Sequence, residues 1–210
     1  AADPTLSRIT DGLGESYSVM DVYFKPYTAC RHTHGAAQAA LELAAGESFD
    51  TAQVERITVH TYGIAELAVG KGVDTNSSFV SAQFSIPYVV AACLMDGELG
   101  PRQLTEKRIA DPAVLDLAGR VTVKTDEELN KIYPGKTSSR VEILFKDGRS
   151  LSRQVDDPRG DPRDPLDAAA LAQKVKQFAG DRESRKLDEA IGIILELEKA
   201  PDLSRLIGLI

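Results

Sequence analysis

Cysteine is scarce in this chain. Cys30 and Cys93 are the only two in 210 residues, which excludes a disulfide framework and any Cys-x-x-Cys pair. That usage fits a reducing compartment, and a cytoplasmic protein is expected. No apolar run approaches the ~20 residues of a membrane-spanning helix. The first residues do not read as a secretory leader, so no membrane partner is expected. Basic residues are in the minority: 25 Lys and Arg against 32 Asp and Glu give a net charge of −7. That sign disfavours nucleic acid as the main partner, while leaving room for a local basic pocket. Gly-x-Gly-x-x-Gly, Walker A, Gly-x-Ser-x-Gly and His-Glu-x-x-His are all absent, so nucleotide, serine-hydrolase and zincin chemistry lack support. Internal repeats, low-complexity tracts and coiled-coil heptads are absent too.

What is present is a chain 42% hydrophobic and 27% charged, long enough to bury a core in one or two domains. Its densest chemistry is the stretch KPYTACRHTH, Lys25 to His34, which holds two of the three histidines. It joins a strand-like run, Tyr17 to Phe24, to a helix-like run, Gly35 to Ala45. A cationic strand-to-helix junction is a natural anion site, because a helix start presents unpaired N–H groups and partial positive charge.

Within it, Pro26 biases Lys25 to an extended backbone, which holds the ammonium outward. Lys25 suits binding a carboxylate, or acting as a base if desolvated; the bland alternative is a solvated surface lysine. Arg31 and His34 stand three apart, and Cys30 and His34 four apart, so each pair shares a helix face if the helix begins near Cys30. His34 is then an acid or base candidate, with Arg31 clamping an anion. A packing histidine is the competing reading. Cys30 as nucleophile lacks a fixed base, and a metal site from Cys30, His32 and His34 fits no standard zinc spacing. Tyr27 belongs to the same stretch. Gln83, Ser85 and Tyr88 are candidates to point polar groups into one pocket, although a tyrosine in an apolar helix is commonly core.

The first fifteen residues read as a helical turn and loop. Val54 to Tyr62 alternates as a strand, with Ile57, Val59 and Thr61 on one face. Ile64 to Ser78 has no period and reads as irregular. Phe79 to Met95 is helical, either kinked at Pro87 or starting near Ser85 as cap, with Gly97 and Gly100 ending it. Arg102 to Ile109 and Asp111 to Ala118 are short helices. Arg120 to Lys124 and Ser138 to Lys146 are strands. Asp147-Gly148 signals a two-residue hairpin into Arg149 to Val155. Asp156 to Asp164 reads as a turn-rich linker. Helices follow from Asp164-Pro165 to Gly180 and from Ser184 to Lys199, ahead of an apolar tail from Pro201 to Ile210. No βα unit recurs, so the expected class is α+β with a mainly antiparallel sheet.

Three blocks carry a likeness: KPYTACRHTHGAAQAAL, SAQFSIPYVVAACLMDGELG and SRVEILFKDGRSLSRQVDDPRGDPRDPL. In this order they resemble the C-terminal half of the MmgE/PrpD family, whose members include 2-methylcitrate dehydratase, cis-aconitate decarboxylase and iminodisuccinate epimerase. The resemblance runs over roughly residues 11–180. It implies an α+β, lid-like domain over 1–160 and a helical segment over 161–210 that returns to an all-helical domain missing here. The absent initiator Met and the apolar tail agree with that expectation. The resemblance also implies proton removal next to a carboxylate, with no cofactor or metal, at a site between the two domains. A small di- or tricarboxylate is the implied substrate and a homodimer the implied assembly. Lys25 matches the family's active-site lysine; Arg31 and His34 match its motif; the position of Cys30 is a histidine in the decarboxylase. The expected site is therefore Lys25, His34 and Cys30 for catalysis, with Arg31, Tyr27, Gln83, Ser85 and Tyr88 for substrate. The function expected is a dehydratase-like lyase; an epimerase on the same scaffold, or a non-catalytic carboxylate-binding lid, are the alternatives.

Overall fold

The structure, a computed structural model, describes residues 6–46, 50–180 and 183–209. It is built around a four-stranded sheet: β1 (Val54–Thr61), β2 (Val121–Thr125), β3 (Ser139–Phe145) and β4 (Ser150–Val155), in the order β2-β1-β3-β4. β1 pairs parallel with β2 and antiparallel with β3, and β3 pairs antiparallel with β4. The class is α+β, and the sheet is mainly antiparallel.

Alternation builds the strands. In β3, Val141, Ile143 and Phe145 are buried while the residues between them are half-exposed. In β1, Val54 and Ile57 both face inward although they stand three positions apart. The register shift between Val54 and Arg56 supplies the extra residue, as a β-bulge does. The hairpin is one residue longer than the sequence suggests. The N–H of Phe145 bonds to the carbonyl of Arg149, which leaves Lys146, Asp147 and Gly148 in the turn, with Gly148 at φ 88°.

One face of the sheet is covered by α1 (His34–Gly46) and α4 (Ile86–Asp96), which pack on each other; α1 lies on β3 and β4, and α4 lies towards β2 and α6 (Pro112–Gly119). The alanines of α1 permit that closeness: Ala36, Ala37, Ala39 and Ala40 are fully buried. α4 is apolar all round, as a helix at the centre of a core is, and nine of its residues are buried. Of the two placements open for it, the second is found. Ser85 caps it by accepting the N–H of Tyr88, and Pro87 sits in its first turn. A short helix, α3 (Phe79–Gln83), precedes it.

Several expectations need correction. Tyr17 to Phe24 is not a strand: Ser18–Asp21 is a 3-10 turn, and Tyr17, Val19, Met20, Val22, Tyr23 and Phe24 are all exposed. A strand needs a neighbour for its backbone groups. In this segment one such bond is made outward, from Phe24 N–H to Gly160 C=O at 2.8 Å. Residues 63–69 form a helix, α2 (Gly63–Val69), where an irregular segment is expected. The linker of Asp156 to Asp164 is a packed turn, closed by a bridge between Asp161 and Asp164. Because that bridge engages Asp164, the next helix, α8 (Ala168–Ala179), starts later and is capped by Asp167. α7 (Glu127–Ile132), capped by Asp126, carries no anticipating signal in the apolar pattern. The helix from Ser184 ends at Leu195 and breaks into a 3-10 turn.

α9 (Ser184–Leu195) and α10 (Ser204–Ile207) follow α8. Across these three helices Val175, Phe178, Ile194, Leu195 and Ile207 stay exposed, and Ala190 alone is buried among the described residues. Ile210, the last of the apolar tail, lies outside the described residues. No helix among those described is long and apolar enough to cross a membrane.

Candidate active site

Residues 24–30 form a strap tied to three separate segments. Phe24 N–H bonds to Gly160, Thr28 N–H to Leu99 and Cys30 N–H to Gln83, all at carbonyl oxygens. Gly160 is required there: at φ 87°, a Cβ on it would come within 1.9 Å of the Phe24 oxygen. The strap ends in a 3-10 turn, Arg31–Thr33, and α1 follows at His34.

Arg31 lies differently from the expected anion clamp. It is 9% exposed, and its guanidinium is engaged from three sides. Nη2 donates to the Pro158 carbonyl at 3.2 Å and to Asp161 Oδ2 at 3.3 Å, and Nη1 to the Arg159 carbonyl at 3.3 Å. The guanidinium carbon stands 4.6 Å from the centre of the Tyr23 ring. Burial lowers its pKa, against the pull of Asp161. Asp161 in turn is held below the usual carboxylate range by the hydrogen bond from Arg163, which outweighs its own burial. Arg31 is thus the rivet that folds residues 158–161 onto the start of α1.

Lys25 is exposed, and among the described residues its ammonium makes no hydrogen bond or ion pair. Its carbonyl accepts from the ammonium of Lys174, which stands 5.5 Å from the Phe178 ring centre. The charges of Arg31, Lys25 and Lys174 all bear on His34. That imidazole is fully buried. Its Nε2 donates to the Ala29 carbonyl at 3.3 Å, its ring lies 5.2 Å from that of Tyr27, and its Nδ1 has no partner among the described residues. Burial first, and Arg31 second, push its pKa down to about 3. The structure therefore makes His34 a neutral packing histidine.

Tyr27 is half-buried, with its phenol pKa raised by burial. It lines a 470 Å³ cleft with Pro26, Leu99, Arg159, Lys174 and Gln177. Arg159 and Lys174 are cations that motif reading does not single out, since they become neighbours only through the turn after β4. Gln83 meets the strap through its main-chain carbonyl. Ser85 and Tyr88 are engaged within the core: Ser85 donates to the Lys71 carbonyl at 2.7 Å, and the buried Tyr88 hydroxyl donates to the Gln103 carbonyl. Burial pushes the Tyr88 phenol up to about 12.

A second cluster surrounds Cys30, which is half-buried against the core. His32 Nδ1 lies 2.8 Å from the Tyr62 hydroxyl, and the Tyr62 ring stacks on Tyr133 with centres 4.4 Å apart. Tyr62 follows β1 as the N-cap residue of α2 and is fully buried, and burial raises its pKa. Burial also lowers the pKa of half-buried His32. The two histidines thus face different partners, and among the described residues no three metal-ligating side chains converge.

Fold and site together define an α+β domain in which a backbone strap delivers positive charge, a thiol and an imidazole to the start of one helix. The chain belongs to the MmgE/PrpD family, whose C-terminal domain model matches residues 27–199. Two sequences of cis-aconitate decarboxylase, from Aspergillus terreus strain NIH 2624 / FGSC A1156 and from Aspergillus terreus, are each 26% identical to it over 213 residues. Each match covers 97% of this chain and 43% of the relative. The chain therefore spans less than half the length of the curated relatives it matches. The resemblance carried by the three sequence blocks is borne out.

Proposed function

We propose that the chain is part of a cofactor-independent lyase acting on a small di- or tricarboxylate. The observation that carries this reading is the placement of Lys25 and Lys174. Both ammonium groups stand near the head of α1 without a carboxylate partner among the described residues, in a chain of net charge −7. Such a locally positive site attracts a multiply charged anion. The name of the relatives, decarboxylases of a tricarboxylate, supports the same substrate class.

Removing a proton next to a carboxylate places negative charge on that carboxylate in the transition state. A fixed cation beside it stabilises the charge as it develops, and Lys25 is assigned that role. The base is assigned to residues outside this chain, because His34 is buried, neutral and bonded to Ala29. In the dehydratase-like reaction the C–H electron pair becomes the new double bond, and the hydroxyl on the adjacent carbon leaves with a proton as water. We assign the donation of that proton to Cys30, on the same junction. We assign residues 1–160 to a lid over the site. Residues 161–210 would dock on the helical domain, a reading supported by the exposed apolar side chains of α8 to α10.

The full-length protein, incubated in deuterated water with 2-methylcitrate, citrate or cis-aconitate and followed by NMR, tests this. Loss of water from one of the two hydroxy acids, with new alkene signals, is expected. Loss of CO₂ would make it a decarboxylase, and deuterium uptake without loss of either an epimerase. No change in any of these acids contradicts the reading.

A further inference from the structure

His32 takes no part in the reaction as proposed, yet its surroundings fix its chemistry. The Tyr62 hydroxyl is buried, and its one hydrogen bond among the described residues is to His32 Nδ1, at 2.8 Å. A buried phenol proton left without an acceptor is costly. The bond therefore runs from Tyr62 O–H to the Nδ1 lone pair. In a neutral imidazole the ring proton must then sit on Nε2. Stacking of Tyr62 on Tyr133 holds the phenol in place, and with it the tautomer. Nε2 itself makes no hydrogen bond among the described residues and is not among the buried unpartnered atoms. It is an N–H donor with an open front.

We propose that His32 is a tautomer-locked neutral donor that binds a carboxylate oxygen of the substrate through Nε2–H. The ligand class follows from the lyase reading, on which this inference rests. A neutral donor adds specificity to carboxylate binding without a second charge, and it leaves no acceptor that a hydroxyl-only ligand would need. Next to His32, α2 packs against the 3-10 turn Arg31–Thr33 and leaves Ile64 and Leu67 exposed. Cys30 lies on the same turn, two residues away.

The test uses the full-length protein and citrate as probe, with affinity measured by calorimetry. His32→Ala should weaken citrate binding about tenfold or more, as loss of one hydrogen bond to a charged group does. His32→Gln, which places an amide N–H₂ where Nε2 lies, should stay within about threefold of wild type. Tyr62→Phe frees the tautomer and should fall between the two. Equal affinity for wild type and His32→Ala overturns the proposal even if turnover continues. Equal weakening by Ala and Gln overturns it too, because a merely packed histidine would not be rescued by the amide. Failure of the wild type to bind citrate overturns it as well. Absence of turnover, with this affinity pattern intact, removes the lyase reading and leaves the donor role standing.

Discussion

Replacing Arg31 with Ala is expected to destabilise the fold by about 3–5 kcal/mol, the usual consequence of breaking a buried ion pair from one side. The side chains of Arg31 and Asp161 are 10% and 12% exposed, so water does little to replace the lost partner. The Arg159 carbonyl loses its Arg31 donor at the same time, the Pro158 carbonyl keeps only the N–H of Asp161, and Tyr23 loses the cation over its ring. Asp161 retains Arg163, which keeps the loss from being larger. Lys at position 31 should not restore stability, since an ammonium on a flexible stem does not reproduce a fork reaching three acceptors. Urea unfolding of Arg31→Ala, Asp161→Asn and the double variant measures the effect and the coupling. A change below about 1 kcal/mol for Arg31→Ala would mean that residues 158–161 are held by something else.

Acid should destabilise the protein earlier than its carboxylates alone explain. His34 has a folded-state pKa lowered from 6.5 to about 3, so below pH 6.5 the unfolded chain takes up a proton that the folded one refuses. Stability is complete above pH 6.5 and falls as pH drops towards 3, by roughly 1.4 kcal/mol per unit. The physical reason is visible at Nδ1, which is buried and would carry a new N–H with no acceptor among the described residues. Between pH 6.5 and 5, where ordinary carboxylates titrate little, the loss should be roughly 2 kcal/mol. His32, also lowered by burial, adds to the slope. His34→Gln keeps a donor near Ala29 and cannot titrate, so its unfolding free energy should be flatter over that range. An unchanged slope in the variant would place the titrating group elsewhere.

How far the sequence could be read depended on whether the deciding contacts were local. β3 announces itself, because one residue in two is apolar and the strand has a neighbour on each side. The start of α4 is equally legible, since Ser85 and Pro87 act within one turn. The strap from Phe24 to Cys30 is not: its apolar flank resembles a strand, and only the fold shows that no second strand reaches it. Asp156 to Asp164 looks like a linker by composition. It is a structural element because Arg31, some 127–130 residues away in sequence, bonds to it. The same distance conceals Arg159 and Lys174 beside Tyr27. His32 stands inside the conspicuous stretch. Its partner Tyr62 reads only as the end of a strand, so their pairing has no sequence signal. In the other direction, Lys25 and Arg31 look like a matched pair of cations in sequence, and in the fold one of them is neutralised by Asp161.

That asymmetry leaves Lys25 as the charge on which the functional account turns. The most direct measurement is kcat/KM of the full-length protein carrying Lys25→Ala, on a carboxylic acid that the wild type turns over as proposed. A fall of about 100-fold or more is expected with the melting temperature unchanged, as for an exposed ammonium that stabilises charge in the transition state and makes no side-chain bond among the described residues. A rate equal to that of the wild type would contradict it.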